Sequence, residues 1–257
     1  MRLGTPTMLK LILIGCNGYM GRVVTDMVAD DPTVIITAGV DIDVTKQNSY
    51  PVYTTPDKIT EEADILLDFS IPAALEGILK YALSNKMPLI LCATGYSQEQ
   101  LTDIEKASKD IPIFRSGNMS LGINLLADLI KRACTVLGED FDIEIVERHH
   151  RRKVDAPSGT ALMLADAAAD ALPDKPEYIY ERESKRKPRS KNEIGISAVR
   201  GGTIVGVHDV IFAGQDEVIE LRHTAASRDV FASGAIKAAK FMQNKQPGMY
   251  NMKNVLE

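Results

Sequence analysis

Residues 9–24 read LKLILIGCNGYMGRVV, and this stretch decides the fold class. Leu9–Ile14 predicts a buried β-strand, because the run is apolar, partly β-branched and ended by a glycine. Apolar residues then return at helical spacing over Arg22–Ala29. A strand, a glycine-rich turn and a helix in this order begin a βαβ unit, so the N-terminal region is expected to contain a parallel sheet.

The same alternation continues as far as residue 115. Helical patterns separate apolar runs that are short enough to be buried strands. The predicted strands are Val34–Val40, Asp64–Phe69, Leu89–Ala93 and Ile111–Arg115, and the predicted helices are Pro72–Leu83 and Gln98–Ser108. Strands that alternate with helices indicate right-handed crossovers and a Rossmann-like, doubly wound α/β sheet.

The pattern changes after Ser120 to strands that follow one another. The predicted helices here are Leu121–Leu137, Ser158–Leu172 and Val230–Gln243, and the predicted strands are Phe141–Glu147, Ile194–Arg200, Thr203–Ala213 and Glu217–His223. Such a succession predicts a smaller α+β domain with a mixed open sheet. Between these elements, Pro173–Glu193 is polar, carries three prolines and both charge signs, and is expected to be a mobile excursion.

The composition of the 257 residues is that of an ordinary globular protein: 45% are hydrophobic, 25% are charged, and the formal net charge is −5. The mild acidity argues against a nucleic-acid partner, which needs a positive surface. Three widely spaced cysteines without a zinc-ligand pattern favour a reducing compartment and no metal. No apolar run is long enough for a membrane span or a signal peptide, so a cytoplasmic protein starting at Met1 or Met8 is expected.

The turn GCNGYMG, residues 15–21, has a physical reason for each glycine. Gly15 permits a tight turn, Gly18 lets the backbone approach a pyrophosphate, and Gly21 lets the helix pack against the strand. The G-x-x-G-x-x-G spacing is less common than G-x-G-x-x-G, so a glycine-rich turn without a ligand is the alternative. Asp41, 20 residues after the last glycine, stands where an acid binds the adenosine ribose.

The residue after this acid bears on the choice of cofactor. Position 42 is occupied by Ile42, so no arginine stands beside Asp41 to receive a ribose phosphate. A ribose acid without an adjacent arginine favours the cofactor that lacks the phosphate. We therefore predict that NADH is used at least as well as NADPH.

A basic and histidine-rich segment, EIVERHHRRKVDAPSGTA at residues 144–161, stands out in an acidic chain. A cluster of this kind is often a solvated loop or a nucleic-acid patch. Here it leads into a predicted helix N-terminus, where Ser158–Thr160 offer backbone N–H groups and hydroxyls to a carboxylate. Cations, imidazoles and a helix end together suit a small molecule with acid groups. Adjacent side chains diverge, so His149 and His150 do not predict a zinc site.

The glycine turn, the segment ERHHRRKVDAPSGTA and the later run RGGTIVGVHDVIF together resemble the dihydrodipicolinate reductase family, from about residue 9 to about residue 243. The resemblance implies NAD(P)H-dependent reduction of the cyclic imine 4-hydroxy-tetrahydrodipicolinate (dihydrodipicolinate) to tetrahydrodipicolinate, in diaminopimelate and lysine biosynthesis. It implies two catalytic proton donors, His149 and Lys153, and a set of substrate-carboxylate binders, His150, Ser158, Gly159 and Thr160. Which of the two donors delivers the proton stays open.

The resemblance also implies a set of cofactor contacts on the first domain. They are Gly15, Cys16, Asn17, Gly18, Tyr19, Met20, Asp41, Cys92, Ala93, Thr94, Ser116, Gly117, Asn118, Met119 and Phe231. Cys92 and Ala93 depart from the Gly-Thr pair usual in the family, and Gly117 and Met119 depart from the expected Ala or Pro and Phe. These departures affect side-chain contacts, such as the hydroxyl expected at residue 93, and not the strand-end loops themselves.

The resemblance implies two domains with different functions. Residues 1–119, completed by the C-terminal helix 231–257, would form the dinucleotide-binding domain, and residues 120–230 the substrate-binding and oligomerisation domain of a homotetramer. Two other readings fit the glycine turn and Asp41 equally well: another two-domain NAD(P)-dependent dehydrogenase for an amino or keto acid, and a non-catalytic nicotinamide-nucleotide sensor. Only residues 149–160 favour the reductase over both.

Overall fold

Two separate β-sheets organise residues 8–257, the part of the chain that the computed structural model describes. The chain divides into two units, of which the first is Met1–Met119 with Asp229–Glu257 and the second is Ser120–Arg228. The first unit holds a seven-stranded sheet and the second a five-stranded sheet. The second unit is therefore one continuous insertion in the sequence of the first.

The helices and strands follow one another in this order: β1 (Leu9–Ile14), α1 (Tyr19–Ala29), β2 (Val34–Val40), β3 (Val52–Tyr53), β4 (Ile65–Asp68), α2 (Leu75–Ser84), β5 (Leu89–Leu91), α3 (Gln98–Ala107), β6 (Pro112–Arg115), α4 (Leu121–Leu137), β7 (Asp142–His149), α5 (Gly159–Ala169), β8 (Glu177–Ile179), β9 (Glu193–Arg200), β10 (Gly206–Ala213), β11 (Val218–Ala225), α6 (Asp229–Met242), β12 (Gly248–Tyr250) and α7 (Met252–Leu256).

The sheet of the first unit is wholly parallel, with the strand order β12-β6-β5-β4-β1-β2-β3. The winding reverses between β1 and β4, and ligands of such sheets bind at the carboxyl ends of the strands beside that point. The central strands are buried on both faces, with Leu11, Leu66 and Ile90 at 0% exposure, so they read as continuous apolar runs. The predicted Rossmann-like sheet is confirmed.

The sheet of the second unit is mixed, with the strand order β11-β10-β7-β9-β8. Strand β10 pairs antiparallel with β7 and β11, whereas β9 pairs parallel with β7 and β8. Helices α4 and α5 share a core with this sheet that includes Ile130, Leu164, Ile145 and Phe212. The predicted smaller α+β domain with a mixed sheet is also confirmed.

Strand β7 alternates between half-buried and buried residues along its whole length. The buried positions are Ile143, Ile145, Glu147 and His149. The two isoleucines join the core, and the same face then carries a carboxylate and an imidazole. The predicted strand Phe141–Glu147 stops two residues too early, so His149 is the last residue of a strand and not part of a loop.

The segment Pro173–Glu193 differs from the predicted mobile excursion. It contributes the edge strand β8, which pairs with β9. Arg189 also contacts Asp142 at 2.6 Å and Glu144 at 3.0 Å, across 47 and 45 residues of sequence. Partners so distant in sequence leave no local signal, and a polar composition alone suggested mobility.

Two edge strands of the first sheet lie outside the predicted set. Strand β3 has two residues and β12 has three, which is too short for a hydrophobic period to be recognised. Strand β12 pairs with β6, and α6 contacts β4, β5 and β6. The last part of the chain thus completes the first sheet.

Candidate active site

The glycine turn lies at the carboxyl end of β1, between the ends of β2 and β4. Gly15 has φ +73°, and its N–H donates to the carbonyl of Val40 at 2.8 Å. A Cβ at Gly15 would lie 2.8 Å from the carbonyl oxygen of Phe69, just after β4. The position therefore requires glycine both for its conformation and for lack of space.

Helix α1 begins at Tyr19, within the glycine turn, and its N-terminus is a candidate anion site. Gly18 is the N-cap residue, and no side chain among the described residues caps this end. A Cβ at Gly21 would lie 2.2 Å from the carbonyl oxygen of Gly15, so the first turn of the helix is packed against the loop backbone. The N–H groups of a helix start and the positive end of its dipole suit a phosphate.

Asp41 follows β2 and is tied to the glycine turn. Its Oδ2 accepts a hydrogen bond from the N–H of Asn17 at 2.9 Å, and its Oδ1 accepts one from the N–H of Asp43 at 3.0 Å. The Lys46 ammonium donates to the carbonyl of Asn17 at 2.8 Å. A carboxylate therefore stands beside the turn, and Lys46 is a nearby cation that inspection of position 42 does not reveal.

The other predicted cofactor loops also follow strands of the first sheet. Cys92–Thr94 come after β5, and the N–H of Cys92 donates to the carbonyl of Asp68 at 2.9 Å. Ser116–Met119 come after β6. A Cβ at Gly234 would lie 1.7 Å from the carbonyl oxygen of Met119, so the first half of α6, which carries Phe231, packs against this loop.

Two residues of the glycine turn, Cys16 and Tyr19, differ in which of their atoms a ligand can reach. The Cys16 side chain is fully buried beside Gly39 and Tyr50, and burial raises the pKa of its thiol to about 11. Only the backbone of Cys16 is therefore available to a ligand. Tyr19, in contrast, is 64% exposed at the start of α1, with Met20 partly buried after it.

Asp68 is a buried acid at this edge that the predicted set lacks. It ends β4 at 1% exposure, and its Oδ1 accepts hydrogen bonds from the N–H of Ser70 at 2.8 Å and the hydroxyl of Ser70 at 2.5 Å. Burial raises the pKa of Asp68. An acid that directly ends an apolar strand is a signal that could have found this residue.

The second group of predicted residues surrounds the end of β7. Glu147 is fully buried and accepts four hydrogen bonds: from His149 Nδ1 at 2.5 Å, from Arg200 Nη1 and Nη2 at 2.7 Å each, and from the N–H of Ser158 at 3.0 Å. Neither Glu147 nor Arg200 is among the predicted site residues. The period-two pattern of β7 places Glu147 on the buried face, and that signal could have found it.

The electrostatics of this cluster favour an ionised Glu147 and a neutral His149. Burial opposes ionisation of Glu147, but the hydrogen bonds from Arg200 and His149 lower its pKa below the usual value. Burial lowers the pKa of His149 by more than the contact with Glu147 raises it. An ionised carboxylate only accepts hydrogen bonds, so Nδ1 of His149 carries its proton toward Glu147 and Nε2 is the exchangeable atom.

A second buried histidine, His208 on β10, lies beside His149. The two ring centroids are 5.1 Å apart, and the rings meet edge to face at 72°. Nε2 of His208 lies 3.2 Å from the hydroxyl oxygen of Ser158. Burial, followed by repulsion from His149 when that ring is protonated, lowers the pKa of His208 to about 4, so the ring of His208 is neutral near neutral pH.

We expect acid to destabilise the fold through His208. The pKa of His208 is about 4 in the folded protein, whereas its ordinary value is 6.5. The stability that the neutral ring contributes to the fold is therefore fully present above pH 6.5 and is lost as the pH falls toward 4. The loss by pH 4 is expected to be about 3 kcal/mol. Urea unfolding at one protein concentration between pH 4 and 7 measures it, and His208→Gln should flatten the curve by that amount. Equal pH slopes in both proteins would contradict this expectation.

The loop after β7 and the end of the second unit supply cations. Lys153 Nζ pairs with Asp155 Oδ1 at 2.9 Å. Arg228 Nη2 lies 3.4 Å from Nε2 of His150. Arg228 is a cation beside the paired histidines that the predicted set lacks, because it lies 78 residues further along the chain.

The start of α5 is the second candidate anion site. Ser158 is the N-cap, with its hydroxyl oxygen accepting from the N–H of Ala161 at 3.1 Å, and Gly159 and Thr160 are the first two helical residues. Burial favours the neutral form of Asp155, but Lys153 and the backbone N–H of Gly159 lower the pKa of this carboxyl below its usual value. A carboxylate of the chain itself thus lies between the cation and the helix end where an acid group was predicted to bind.

The paired histidines face different partners, Glu147 for His149 and Arg228 for His150. Within residues 8–257, no group of three or more His, Cys, Asp or Glu is arranged to hold a metal ion. Of the helices that the structure describes, none is long and apolar enough to cross a membrane.

A glycine turn at the start of a helix on a parallel sheet, and a carboxylate-held imidazole beside a second helix end, are typical of an oxidoreductase that uses a nicotinamide nucleotide. The family model "Dihydrodipicolinate reductase, N-terminus" matches residues 9–119, and "Dihydrodipicolinate reductase, C-terminus" matches residues 122–256. The chain belongs to the dihydrodipicolinate reductase family, as its sequence resemblance suggested.

Two relatives illustrate the similarity in sequence. The chain is 54% identical to the 4-hydroxy-tetrahydrodipicolinate reductase of Clostridium tetani over 245 residues, which cover 95% of this chain and 96% of the relative. It is 53% identical to the protein of the same name from Caldanaerobacter subterraneus subsp. tengcongensis over 250 residues, which cover 97% and 99% of the two chains.

Two solved structures share the fold. Dipicolinate-bound dihydrodipicolinate reductase from Paenisporosarcina sp. TG-14 superposes with a TM-score of 0.82 at 22% identity, over 96% of this chain and 99% of that chain. GenD2 from gentamicin A biosynthesis, in complex with NAD, superposes with a TM-score of 0.63 at 13% identity, over 97% and 90%. At these identities the likeness concerns the fold.

Proposed function

We propose that this chain reduces 4-hydroxy-tetrahydrodipicolinate to tetrahydrodipicolinate with NADH or NADPH and with loss of water, in diaminopimelate and lysine biosynthesis. The observation that carries the proposal is His149, held by a buried carboxylate beside the N-terminus of α5. A proton donor next to an anion-binding helix end suits an imine with two carboxylates. The relatives from Clostridium tetani and Caldanaerobacter are named for this substrate, and the Paenisporosarcina structure holds dipicolinate.

Each unit has a separate part in this proposal. The first unit, Met1–Met119 with Asp229–Glu257, binds the cofactor through the glycine turn, Asp41 and the loops after β5 and β6. When bound, the nicotinamide would supply a hydride to the conjugated imine that forms when the 4-hydroxy compound loses water. The second unit, Ser120–Arg228, binds the substrate and forms the contacts between subunits.

The residues of the second unit then orient the substrate and complete the reduction. Ser158, Gly159 and Thr160, together with His150, bind the carboxylates and fix the ring in one orientation. His149 donates a proton from Nε2 once its ring has taken up a second proton there, and Lys153 is the second candidate donor, beside which a carboxylate already lies.

The test of this function is a spectrophotometric assay. The imine is generated in the cuvette from pyruvate and aspartate semialdehyde by the coupled synthase, and oxidation of NADH is followed. Rapid oxidation that depends on the synthase supports the reductase. Oxidation with a panel of amino or keto acids, but not with the imine, would indicate another dehydrogenase, and binding of NADH without turnover of any substrate would indicate a sensor.

For the cofactor, we expect kcat/KM with NADH to equal or exceed kcat/KM with NADPH. Asp41 accepts two backbone hydrogen bonds beside the turn, and its negative charge disfavours a ribose phosphate. The same assay with both cofactors measures the ratio. A strong preference for NADPH would contradict the expectation and would point to Lys46, whose ammonium is the cation bound to the turn.

Replacing Lys153 by alanine is expected to raise KM for the imine and also to lower kcat. The ammonium is both a partner for a carboxylate and a candidate acid, and an uncharged methyl group replaces neither role. Arg152→Ala is the matched control, because it removes one positive charge from an exposed side chain of the same loop. A rise in KM alone would limit Lys153 to binding, and equal effects of the two variants would remove its special role.

We further propose a cytoplasmic homotetramer. The support for both is membership of a family of biosynthetic reductases. Analytical ultracentrifugation at micromolar concentration should give a mass about four times that of the 28.1 kDa chain. A monomer under these conditions would contradict the proposed assembly.

A further inference from the structure

Every hydrogen-bonding position of the buried Glu147 carboxylate is directed to a group in or beside the candidate site. Its Oε2 lies 2.5 Å from His149 Nδ1 and 2.7 Å from Arg200 Nη1. Its Oε1 accepts from Arg200 Nη2 at 2.7 Å and from the N–H of Ser158 at 3.0 Å. One carboxylate thus links the imidazole at the end of β7, the guanidinium at the end of β9 and the start of α5.

Two backbone carbonyls, in addition to the Glu147 carboxylate, hold the guanidinium of Arg200 in place. Its Nη1 donates to the carbonyl of Val199 at 2.8 Å and its Nη2 to the carbonyl of Asp155 at 2.6 Å. A planar guanidinium bound at both ends has one orientation toward the carboxylate, so the geometry is bidentate and fixed. The negative charge buried at Glu147 is therefore matched by a positive charge that does not move away.

The arrangement also determines which atom of His149 is available. Nδ1 faces Glu147, and Nε2 points toward Gly206, where a Cβ would lie only 3.1 Å from it. Glycine at 206 leaves the space beside Nε2 open, whereas any side chain there would press on the ring.

We propose that Glu147 is a positioning residue that holds His149 with Nε2 as the proton-exchanging atom, and that Arg200 sets the basicity of this imidazole by balancing the charge of Glu147. The catalytic part of this inference rests on the proposed function, but the effect on the imidazole does not. Without Arg200, an unbalanced carboxylate beside Nδ1 would favour the imidazolium. Without Glu147, the remaining cations would favour the neutral ring.

The charged and titratable groups around His149 come from four places. Glu147 lies on β7, the strand that also carries His149, and Lys153 lies in the loop after β7. Arg200 lies on β9 and His208 on β10. Of these, Glu147 favours the charged imidazole, and Arg200 and Lys153 oppose it. His208 stays neutral above about pH 4, so it is not the source of a change near neutral pH.

The experiment compares Glu147→Gln with Arg200→Gln in the full-length protein, with ¹⁵N-labelled histidine followed by NMR through a pH titration. His149→Gln assigns the resonance. We expect the ¹⁵N shifts of wild type to report a proton on Nδ1. Glu147→Gln should lower the pKa of His149 and Arg200→Gln should raise it, each by about one pH unit or more. The alkaline limb of kcat/KM should move in the same direction as the pKa.

Two further variants separate charge from a loss of structure. Arg200→Lys keeps the charge and loses the bidentate contact, so the pKa should stay near that of wild type while kcat falls. Arg222→Gln removes the same charge from β11, where Arg222 contacts Asp209 and not Glu147, and should leave the pKa unchanged. If Glu147→Gln does not fold, the Arg200 and Arg222 variants still carry the test.

The outcomes distinguish this inference from the proposed function. Shifts in the same direction for both glutamine variants, or shifts no larger than that of Arg222→Gln, would overturn the positioning role. Opposite shifts in a protein that does not reduce the imine would support the positioning role and reject the proposed function. An active reductase whose His149 titration is unmoved by both variants would reject the positioning role alone.

Discussion

Replacing His149 by glutamine is expected to lower kcat by about 10²- to 10⁴-fold, the usual effect of losing a general acid, while the affinity for NADH stays unchanged. Glutamine keeps a polar side chain of similar length but does not exchange a proton near neutral pH. The affinity should not change, because the glycine turn and Asp41 belong to the first unit and His149 belongs to the second.

Stopped-flow turnover with saturating imine, together with NADH titration by fluorescence, measures the two quantities separately. His223→Gln is a suitable control, because His223 is a partly buried histidine of the same unit that lies 3.5 Å from the Ser120 hydroxyl and has no contact with Glu147. Near-normal turnover of the His149 variant would remove this residue from the reaction. Equal losses in both variants would indicate a general disturbance of the unit.

Replacing Gly21 by alanine is expected to destabilise the first unit and to abolish tight binding of NADH. The added Cβ would lie 2.2 Å from the carbonyl oxygen of Gly15 and 2.7 Å from two backbone atoms of Cys16. Backbone atoms do not yield as the end of a flexible side chain does, so α1 must move away from the turn. The cost is expected at or above the upper end of the range of about 1–3 kcal/mol for overpacking. NADH affinity should fall at least about tenfold, because the helix N-terminus leaves the phosphate position.

Gly77→Ala is the matched control, and its expected effect on stability has the opposite sign. Gly77 lies within α2, is exposed, and has no atom within 4 Å of an added Cβ. Alanine there should stabilise the protein by about 0.5–1 kcal/mol, since glycine is a poor helix former, and should leave NADH binding unchanged. Urea unfolding and NADH titration measure both variants. A Gly21 variant as stable as wild type, with normal affinity, would show that the close contact in the turn is not essential.

Much of the fold could be predicted from local patterns. Leu9–Ile14 and Val34–Val40 read as strands because both faces of a central parallel strand are buried. Boundaries were less predictable: α1 begins at Tyr19, three residues before the predicted start at Arg22, because its first three residues also belong to the glycine-rich motif. The order of Pro173–Glu193 depends on ion pairs with a distant strand, which no local window contains.

The candidate site divides in the same way. His149 and the start of α5 could be singled out because unusual residue types lie close together in sequence. Arg200 could not, since it is 53 residues from Glu147 and its neighbours are ordinary strand residues. Glu147 was open to prediction, because alternation along β7 places it on the same face as Ile143 and Ile145, where an acid requires a partner.

The discontinuous first unit has a consequence for how the chain emerges from the ribosome. Helix α6 buries Ala232, Ala235 and Ala239 and contacts β4, β5 and β6, and β12 then adds an edge to the same sheet. The apolar surface that α6 covers on the N-terminal part of the first unit therefore stays exposed until the last part of the chain has been synthesised. The insertion has all of its strands in one continuous stretch, so it is able to acquire its native packing first.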